Sequence, residues 1–275
     1  MVNLMRSAKD IVVKPINARS AAALVKKIHY SGKVVQNSSL HFGVFLDGKL
    51  EGAMQFGTPM DKRKSLGLVE GTTWNEMIEL NRMAFSDNLP RFSESRAIGI
   101  AMRMMRKHYP QLKWVQSFSD GTMCGDGTIY RASGFVLTGI NQNSTIYVFP
   151  DGARIASLTL TNGGDLAGRR KVCEKYGAEF TSKASMKPFI DIGAKKATGF
   201  MLRYMYFLDK SYKDKLTVPI LPFSDIDKMG AGMYKGETVT LQERKLRDTR
   251  ASSSDQLEGG GSIPTITLQS PKDKK

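Results

Sequence analysis

The feature that most constrains the fold is the dipeptide Asp47–Gly48, which separates two runs of strand-forming residues, 40–46 and 49–57. This dipeptide accepts the positive φ angles that a two-residue hairpin turn requires. The residues on both sides are alternating or apolar β-formers, as in paired strands. We therefore predict a β-hairpin over residues 40–57, and with it a sheet in the fold.

Helices and strands alternate along the rest of the chain. Alanine and leucine at helical spacing predict a helix over 17–29, with Asn17 or Ser20 as the N-cap. Residues 60–75 are polar and irregular, and the chain after them shows local patterns for both element types. These patterns predict a mixed-face strand over 75–85, an amphipathic helix over 96–109, a strand over 113–120, a short helix over 127–135 and a hairpin over 136–152.

The element order predicts one domain over residues 1–240 and a polar, disordered tail over 241–275. Within the domain, a basic insertion at about 160–200, with a helix over 166–180 and a loop over 193–200, precedes a strand that returns to the sheet at 201–208. The order resembles the GNAT acyltransferase superfamily. This resemblance implies an α/β (α+β) fold, with a mixed, mostly antiparallel central sheet flanked by helices and a slot between two splayed strands.

Composition points to a polyanionic partner. The chain has 41 Lys and Arg against 26 Asp and Glu, a net charge of +15. Such an excess favours nucleic acid, although a charge that serves only solubility or small anions is the alternative. The two cysteines, Cys124 and Cys173, suggest neither a disulfide framework nor a zinc ribbon. Without a signal peptide or membrane span in the sequence, we expect a soluble, cytoplasmic protein with no membrane partner.

The predicted junction between the strand at 75–85 and the following helix is a candidate anion site. A helix start exposes backbone N–H groups and the positive end of the helix dipole, which suits a pyrophosphate. The alternative is an ordinary N-cap serine, a solvated arginine and a glycine for close packing. The residues of this candidate cofactor site are Ser93, Ser95, Arg96 and Gly99.

The pair His29 and Tyr30, at the end of the first helix, offers a base or metal ligand beside a phenol. As the alternative, His29 is a cation at a helix C-terminus. Asp120 follows the end of a strand and is a second candidate base or metal ligand, unless it is a turn residue before Gly121.

Three further residues extend this candidate site. If the strand at 75–85 alternates regularly, Glu79 and Asn81 face the same opening, where two acidic groups and a histidine would converge. Tyr130, in the short helix, is a further catalytic candidate.

Several segments, taken in this order, resemble the Mom family of phage DNA-modification proteins: HYSGK at 29–33, ELNRM at 79–83, SFSD at 117–120, GTIY at 127–130 and RYMYFLDK at 203–210. The resemblance covers residues 25–225. It implies an enzyme that converts adenine in double-stranded DNA to N6-acetamido (methylcarbamoyl) adenine, which shields phage DNA from host restriction.

The resemblance also implies site roles. His29, Tyr30 and Asp120 would be active-site residues, and Arg82 and Ser95 would bind the donor. Acetyl-CoA is the implied donor, but plain acyl transfer does not give an acetamido product, so another activated two-carbon or glycine-derived donor stays open. Iron on His29 and Asp120 is also implied, although the motifs contain no second nearby histidine for a two-histidine-one-carboxylate site.

An enzyme reaches adenine N6 either along the major groove or by extruding the base onto an aromatic side chain, for which Tyr30 and Tyr130 are candidates. The rival hypotheses are an ordinary GNAT N-acetyltransferase acting on a protein or small amine, and a DNA-binding regulator on a degenerate GNAT scaffold. The oligomeric state is open, with a homodimer among the alternatives. The residues predicted to hold the DNA backbone are Arg169, Arg170, Lys171, Lys195, Lys196 and Arg203.

Overall fold

The computed structural model describes residues 6–29, 31–240 and 242–243. The strands are β1 Val12–Pro15, β2 Ser38–Leu46, β3 Lys49–Gly57, β4 Met77–Phe85, β5 Trp114–Asp120, β6 Val136–Asn143, β7 Ile146–Val148, β8 Arg154–Ala156, β9 Lys195–Lys196, β10 Gly199–Phe207, β11 Met233–Tyr234 and β12 Glu237–Thr238. The α-helices are α1 Ala18–Ile28, α2 Lys62–Leu66, α3 Ser93–His108, α4 Thr128–Ala132, α5 Ser157–Thr161, α6 Leu166–Tyr176, α7 Lys187–Asp191 and α8 Ser224–Lys228, and two 3-10 helices span Ala8–Asp10 and Lys210–Lys215. Contacts divide the chain after residue 238, so these elements all belong to the first unit.

The main sheet has seven strands in the order β1-β2-β3-β4-β5-β10-β6. Its pairs are antiparallel apart from β4 and β5, which run parallel. The β2–β3 hairpin turns at Asp47 and Gly48, whose φ angles are +50° and +78°. The predicted mixed, mostly antiparallel sheet flanked by helices is therefore confirmed, and so is the hairpin at its centre.

Helices cover both faces of the sheet. Helix α1 begins after Asn17, whose side chain accepts a hydrogen bond from the backbone of Ser20, as predicted for an N-cap. It packs its buried Ala21 and Val25 with Ala53 and Ala84 of the sheet. On the other face, α3 contributes five fully buried side chains to the main apolar cluster: Ala97, Ile98, Ala101, Met102 and Met105.

Strands β4 and β5 diverge after three residue pairs. They pair from Met77 with Trp114 as far as Glu79 with Gln116. In the described structure the pairing ends there, although β4 continues to Phe85 and β5 to Asp120. The two strands thus leave a slot between them, beyond Glu79.

A β-bulge at Asn81 interrupts the alternation predicted for β4. Gln55 of β3 pairs with Arg82, whereas the next residue, Phe56, pairs with Leu80. Asn81 is therefore the extra residue, and a bulge of this kind exchanges the faces of the residues that follow it. Because of this exchange, Glu79 and Arg82 lie on one face of the sheet, the face that α1 covers.

Two local predictions are wrong. Residues 136–152 do not form a hairpin, because β6 pairs with β10 while β7 pairs with β8 and β9 in a separate three-stranded sheet. At the end of β6 the side chain of Asn143 accepts hydrogen bonds from Thr145 and turns the chain out of the main sheet. The segment predicted to be irregular, 60–75, contains the short helix α2, which begins after the N-cap Asp61.

The segment between β6 and β10 holds the second sheet with α5, α6 and α7. Its own apolar cluster includes Phe149, Leu160, Cys173 and Phe189. After this segment, the predicted returning strand enters the main sheet as β10, between β5 and β6. It begins at Gly199, so the last two residues of the predicted loop 193–200 belong to the strand. The predicted tail, 241–275, lies outside the described residues except for 242–243. Among the described residues, none of the helices has the length and apolarity to cross a membrane.

Candidate active site

Polar residues form two adjacent rows on the face of the sheet that α1 covers. One row runs through His41, Gln55 and Arg82, which are register partners on β2, β3 and β4. The next row runs through Ser38, Gly57, Glu79 and Gln116, on β2 to β5. We call these residues, together with Asn81 and Ser65, the Glu79 cluster.

The carboxyl group of Glu79 is held by two side-chain amides. Gln116 donates from Nε2 to Oε2 at 2.7 Å, and Asn81 donates from Nδ2 to Oε1 at 3.1 Å. Burial raises the pKa of Glu79, while these two hydrogen bonds and the charge of Arg82 oppose the rise. Glu79 is thus a fixed carboxyl group with a raised pKa, as is useful for proton transfer.

The same amides leave acceptor atoms without partners. Since both NH2 groups point at Glu79, their carbonyl oxygens point away, and neither Asn81 Oδ1 nor Gln116 Oε1 has a hydrogen-bond partner among the described residues. The same is true of Gln55 Oε1. Buried acceptors without partners are costly, and their concentration around one carboxyl group is typical of a functional site rather than a packing core.

Helix α2 is tied to this cluster by one side chain. Ser65, the buried residue of α2, accepts a hydrogen bond from Gln116 Nε2 at 2.9 Å. The same nitrogen thus bridges Ser65 and Glu79. The position of α2 is therefore coupled to the geometry around the carboxyl group.

His29 ends α1 and lies near Arg82. Its Nδ1 accepts a hydrogen bond from the backbone N–H of Ser31 at 3.2 Å and lies 2.8 Å from the Ser31 hydroxyl. Burial, and then the charge of Arg82, lowers the pKa of His29 to about 4. The ring is therefore neutral near pH 7, with the proton on Nε2 because Nδ1 is an acceptor. Its predicted companion, Tyr30, lies outside the described residues.

The charge of Arg82 acts on both titratable groups, His29 and Glu79. Its Nη1 donates to the carbonyl of Asn81 at 2.7 Å, and its Nε donates to the carbonyl of Lys33 at 3.4 Å. Its charge lowers the pKa of both His29 and Glu79. The structure therefore brings together His29, Glu79, Asn81 and Arg82 of the predicted site.

Asp120 is the last residue of β5. Its Oδ1 accepts hydrogen bonds from the backbone N–H of Thr122, at 3.0 Å, and from the Thr122 hydroxyl. It is four residues along β5 from Gln116, about 13 Å at the rise of a strand. Asp120 is therefore distant along the sheet from Glu79, the register partner of Gln116, and its carboxylate forms a turn with Thr122. Its convergence with His29, which lies near Arg82 further along β4, stays a prediction.

Tyr130 is buried in the other face of the sheet. Its hydroxyl is 2.8 Å from Ser117 Oγ, and its ring lies 5.2 Å from Tyr204 and 5.4 Å from Phe135, measured between centroids. Burial raises the pKa of Tyr130 to about 12. The prediction that this ring stacks on an extruded base is wrong, because core side chains already cover it.

The start of α3 has an unusual cap. The N-cap is Phe92, in the left-handed conformation at φ +67°, and it provides no side-chain hydrogen bond. Ser93 is fully buried and its hydroxyl has no partner among the described residues, while Ser95 donates to the carbonyl of Phe92. A serine N-cap, the alternative interpretation, is therefore wrong. Arg96 is exposed and Gly99 half-buried, so neither blocks the predicted anion site.

Two of the six residues predicted to hold the DNA backbone have side chains that are buried or half-buried and bonded within the protein. Arg169 is 2% exposed, and its Nη2 donates to the carbonyls of Thr181 and Lys183, because α6 packs it inward. Arg203 is half-buried and donates from Nε and Nη2 to Thr138. The other four side chains are exposed: Arg170, Lys171, Lys195 and Lys196.

The residues do not fit the predicted iron site. In the part of the chain that the structure describes, His, Cys, Asp and Glu side chains form no group of three or more that could hold a metal ion. His29 and Asp120 thus lack a third ligand of these types there. We assign no step to a metal.

Sequence reasoning missed six of the nine residues of the Glu79 cluster, namely Ser38, His41, Gln55, Gly57, Ser65 and Gln116. The available signal was a polar residue inside a run of strand formers, such as Gln55 within AMQFG and Gln116 within WVQSF. Gln116 is 1% exposed and Gln55 is 2% exposed. Buried amides in central strands are uncommon, so each is a marker of a polar site.

Comparisons with known proteins agree on one family. The model of the Mom protein family matches residues 10–225. Methylcarbamoylase mom of Escherichia phage Mu is 33% identical over 213 residues, 78% of this chain and 82% of that protein.

Among solved structures, a Bacillus subtilis acetyltransferase in complex with CoA is 9% identical, with a TM-score of 0.38, and covers 72% of this chain and 97% of its own. The ribosomal-protein-S18-alanine N-acetyltransferase of Escherichia coli has the same identity, TM-score and coverage of this chain, with 94% of its own length.

Proposed function

Because this chain belongs to the Mom protein family, we propose that it is a methylcarbamoylase that modifies N6 of adenine in double-stranded DNA. The observation that carries the proposal is the 33% identity to Methylcarbamoylase mom over 213 residues. The net charge of +15 supports DNA as the substrate, since a basic protein gains affinity by releasing counterions from the phosphates.

The reaction makes one bond and breaks another. Adenine N6 bonds to the methylene carbon of the incoming acetamido group, the bond from that carbon to the leaving group of the donor breaks, and N6 loses a proton. N6 is a poor nucleophile because its lone pair is delocalised into the purine ring. The enzyme therefore has to position N6 and accept its proton.

We assign proton acceptance to the pair His29 and Glu79. His29 has a pKa of about 4 and is neutral near pH 7, and its Nδ1 would take the proton in exchange for the hydrogen bond from the backbone N–H of Ser31. Glu79 has a raised pKa and is oriented by Gln116 and Asn81. The charge of Arg82 acts on both groups and would stabilise negative charge that develops on the reacting groups. Asp120 and Tyr30 stay proposed site residues on the strength of the family resemblance.

The donor is proposed to bind at the start of α3. The absence of a side-chain cap there, with the buried unpartnered hydroxyl of Ser93, fits an anionic group such as the pyrophosphate of an acyl-CoA. Ser95, Arg96, Gly99 and Arg82 are the other proposed donor-binding residues. The donor would carry the whole acetamido group, amide nitrogen included, with its leaving group on the methylene carbon.

Nucleoside mass spectrometry tests this proposal. Plasmid DNA from cells that express the protein should contain a deoxyadenosine heavier by about 57 Da, the mass that one acetamido group adds. His29→Gln should abolish this product at equal expression. Asp120→Ala distinguishes a catalytic role of Asp120 from a role in the turn. Loss of product with an unchanged melting temperature would assign its carboxylate to the chemistry. A lowered melting temperature would assign it to the turn.

Unmodified adenine from well-expressed, folded protein would contradict the proposal. Acetylation of a protein or small amine without DNA would then favour an ordinary N-acetyltransferase. DNA binding without modification would favour a regulator.

A further inference from the structure

A cavity of about 440 Å³ lies at one end of the main sheet and shares one residue, Gly57, with the Glu79 cluster. It is found where β2 begins, β3 ends and β4 begins, and its lining includes Gly57, the register partner of Glu79. Small-molecule sites typically occupy about 300–1,000 Å³, so the cavity suits a ligand of the size of a nucleotide. Polar side chains that reach it include Asn75 and Gln111.

One wall of the cavity is an exposed aromatic ring. Trp74 lines the cavity and is 58% exposed, although large apolar side chains are usually buried. The ammonium group of Lys62, which also lines the cavity, lies over the ring. A nucleobase can stack on an exposed tryptophan because every base presents a π-face, and here it would use the opposite face of the ring or displace the Lys62 ammonium group.

Helix α2 adds positive charge at the same rim. Lys62, Arg63 and Lys64 are consecutive, and the last two are exposed. One carboxylate is present, since Asp61 pairs with Lys64 at 3.1 Å. The helix is anchored through Ser65 to Gln116, so these cations are held in a fixed relation to Glu79.

We propose that this cavity receives a nucleotide of the bound DNA strand, with its base on Trp74 and the neighbouring phosphates on the cations of α2. The inference rests on the proposed function, which requires access to adenine N6 in a duplex. Trp74 would then act as the stacking side chain, a role that Tyr130 cannot have because it is buried in the core. The cavity meets the Glu79 cluster at Gly57, the register partner of Glu79, and the side chains of Glu79 and His29 are not part of its lining.

Tryptophan fluorescence tests the stacking. The chain has two tryptophans, and the other, Trp114, is fully buried and donates to Thr72 at 3.1 Å. Titration with an adenine-containing DNA duplex should therefore quench the emission of Trp74, and Trp74→Phe should remove the quenching while it keeps most of the affinity. Trp74→Ala should weaken binding by about 5- to 150-fold, the range for loss of one base–aromatic stack.

Salt dependence tests the phosphate contact. Arg63→Ala should lower the slope of log K against log salt concentration by about 0.7–0.9, the value for one phosphate contact. The matched control is Lys49→Ala, an exposed cation at the opposite end of β3, which should leave the slope unchanged. Emission from Trp114 and the melting temperature report that each variant is folded.

The outcomes separate this inference from the proposed function. If folded Trp74→Ala binds and modifies DNA as the wild type does, the inference is overturned and the proposed function stands. If adenine is never modified but DNA quenches Trp74 and the variants weaken binding, the nucleotide site stands and the proposed function fails. Quenching by RNA of the same sequence, without quenching by DNA, also overturns the inference.

Discussion

The two faces of the central sheet use the same strands for different purposes. Towards α3, β4 and β5 present Ile78, Leu80 and Val115, which are buried in one large apolar cluster. Towards α1, the intervening residues Glu79 and Gln116 form a hydrogen-bonded polar cluster. Because side chains alternate along a strand, a single segment supplies both the stability of the fold and the groups of the site. The two properties should therefore respond to different substitutions.

The largest expected effect is on the polar face. His29→Gln removes the proposed proton acceptor, so we expect the rate of DNA modification to fall by about 100- to 10,000-fold, the usual contribution of general acid–base catalysis. The melting temperature should change little, since the ring packs beside polar groups. Single-turnover modification of a duplex measures the rate. His108→Gln, an exposed histidine at the end of α3, is the control, and an equal loss of rate there would break the distinction.

On the apolar face the expectation is reversed. Met102→Ala opens a cavity against the fully buried cluster under α3 and should lower the free energy of unfolding by about 2–5 kcal/mol. The rate of modification per folded molecule should stay as in the wild type. Urea denaturation measures the first quantity and active-site titration the second. Met104→Ala, at a half-buried position on the same helix, should cost less stability.

The pH dependence of stability sharpens the comparison. The pKa of His29 is lowered to about 4 in the folded protein, against an ordinary value of 6.5. Between these values the unfolded chain binds a proton that the folded protein does not, so His29 makes the fold less stable as pH falls from 6.5 to 4 and adds no further loss below 4. In His29→Gln this part of the dependence should vanish. Melting temperatures of both proteins from pH 7 to pH 4 provide the measurement, and parallel curves would contradict the burial of the ring.

The smallest effect is expected for the hydroxyl pair of Tyr130 and Ser117 on the apolar face. Tyr130→Phe loses the hydrogen bond to Ser117 and should lower the free energy of unfolding by about 0.5–1.5 kcal/mol. Ser117 keeps a partner, since its hydroxyl also bonds to the carbonyl of Leu80. A double-mutant cycle with Ser117→Ala isolates the pair. A large loss of modification by Tyr130→Phe with unchanged stability would instead show that chemistry extends to this face.

Local signals were enough for the elements that depend on neighbouring residues. Asp47 and Gly48 predicted the central hairpin, and Asn17 predicted the start of α1. The strand at β7 was also predicted, but its partner was not, because a run of β-formers specifies a strand without specifying which strand it pairs with.

The site was predicted only in part for the same reason. His29, Glu79 and Arg82 were identified from residue type and resemblance. Their meeting on one face depends on the bulge at Asn81, which is set by the register between β3 and β4 rather than by the sequence of β4. Arg169 likewise seemed to be a surface cation in a basic helix, and its burial follows from carbonyls of the segment after α6.

The connection between β6 and β10 has a consequence for how this protein can change. Asn143 and Gly199, where the chain leaves and re-enters the main sheet, are register partners on adjacent strands. The segment in between has its own sheet and apolar cluster, and each doubling of such a connection costs only about 0.6 kcal/mol of closure entropy. Insertions or deletions between these two residues should therefore leave β4, the strand that holds Glu79, paired as before. A substitute module would lose the contacts of Thr159 and Asp165 with Lys33, whose carbonyl accepts a hydrogen bond from Arg82.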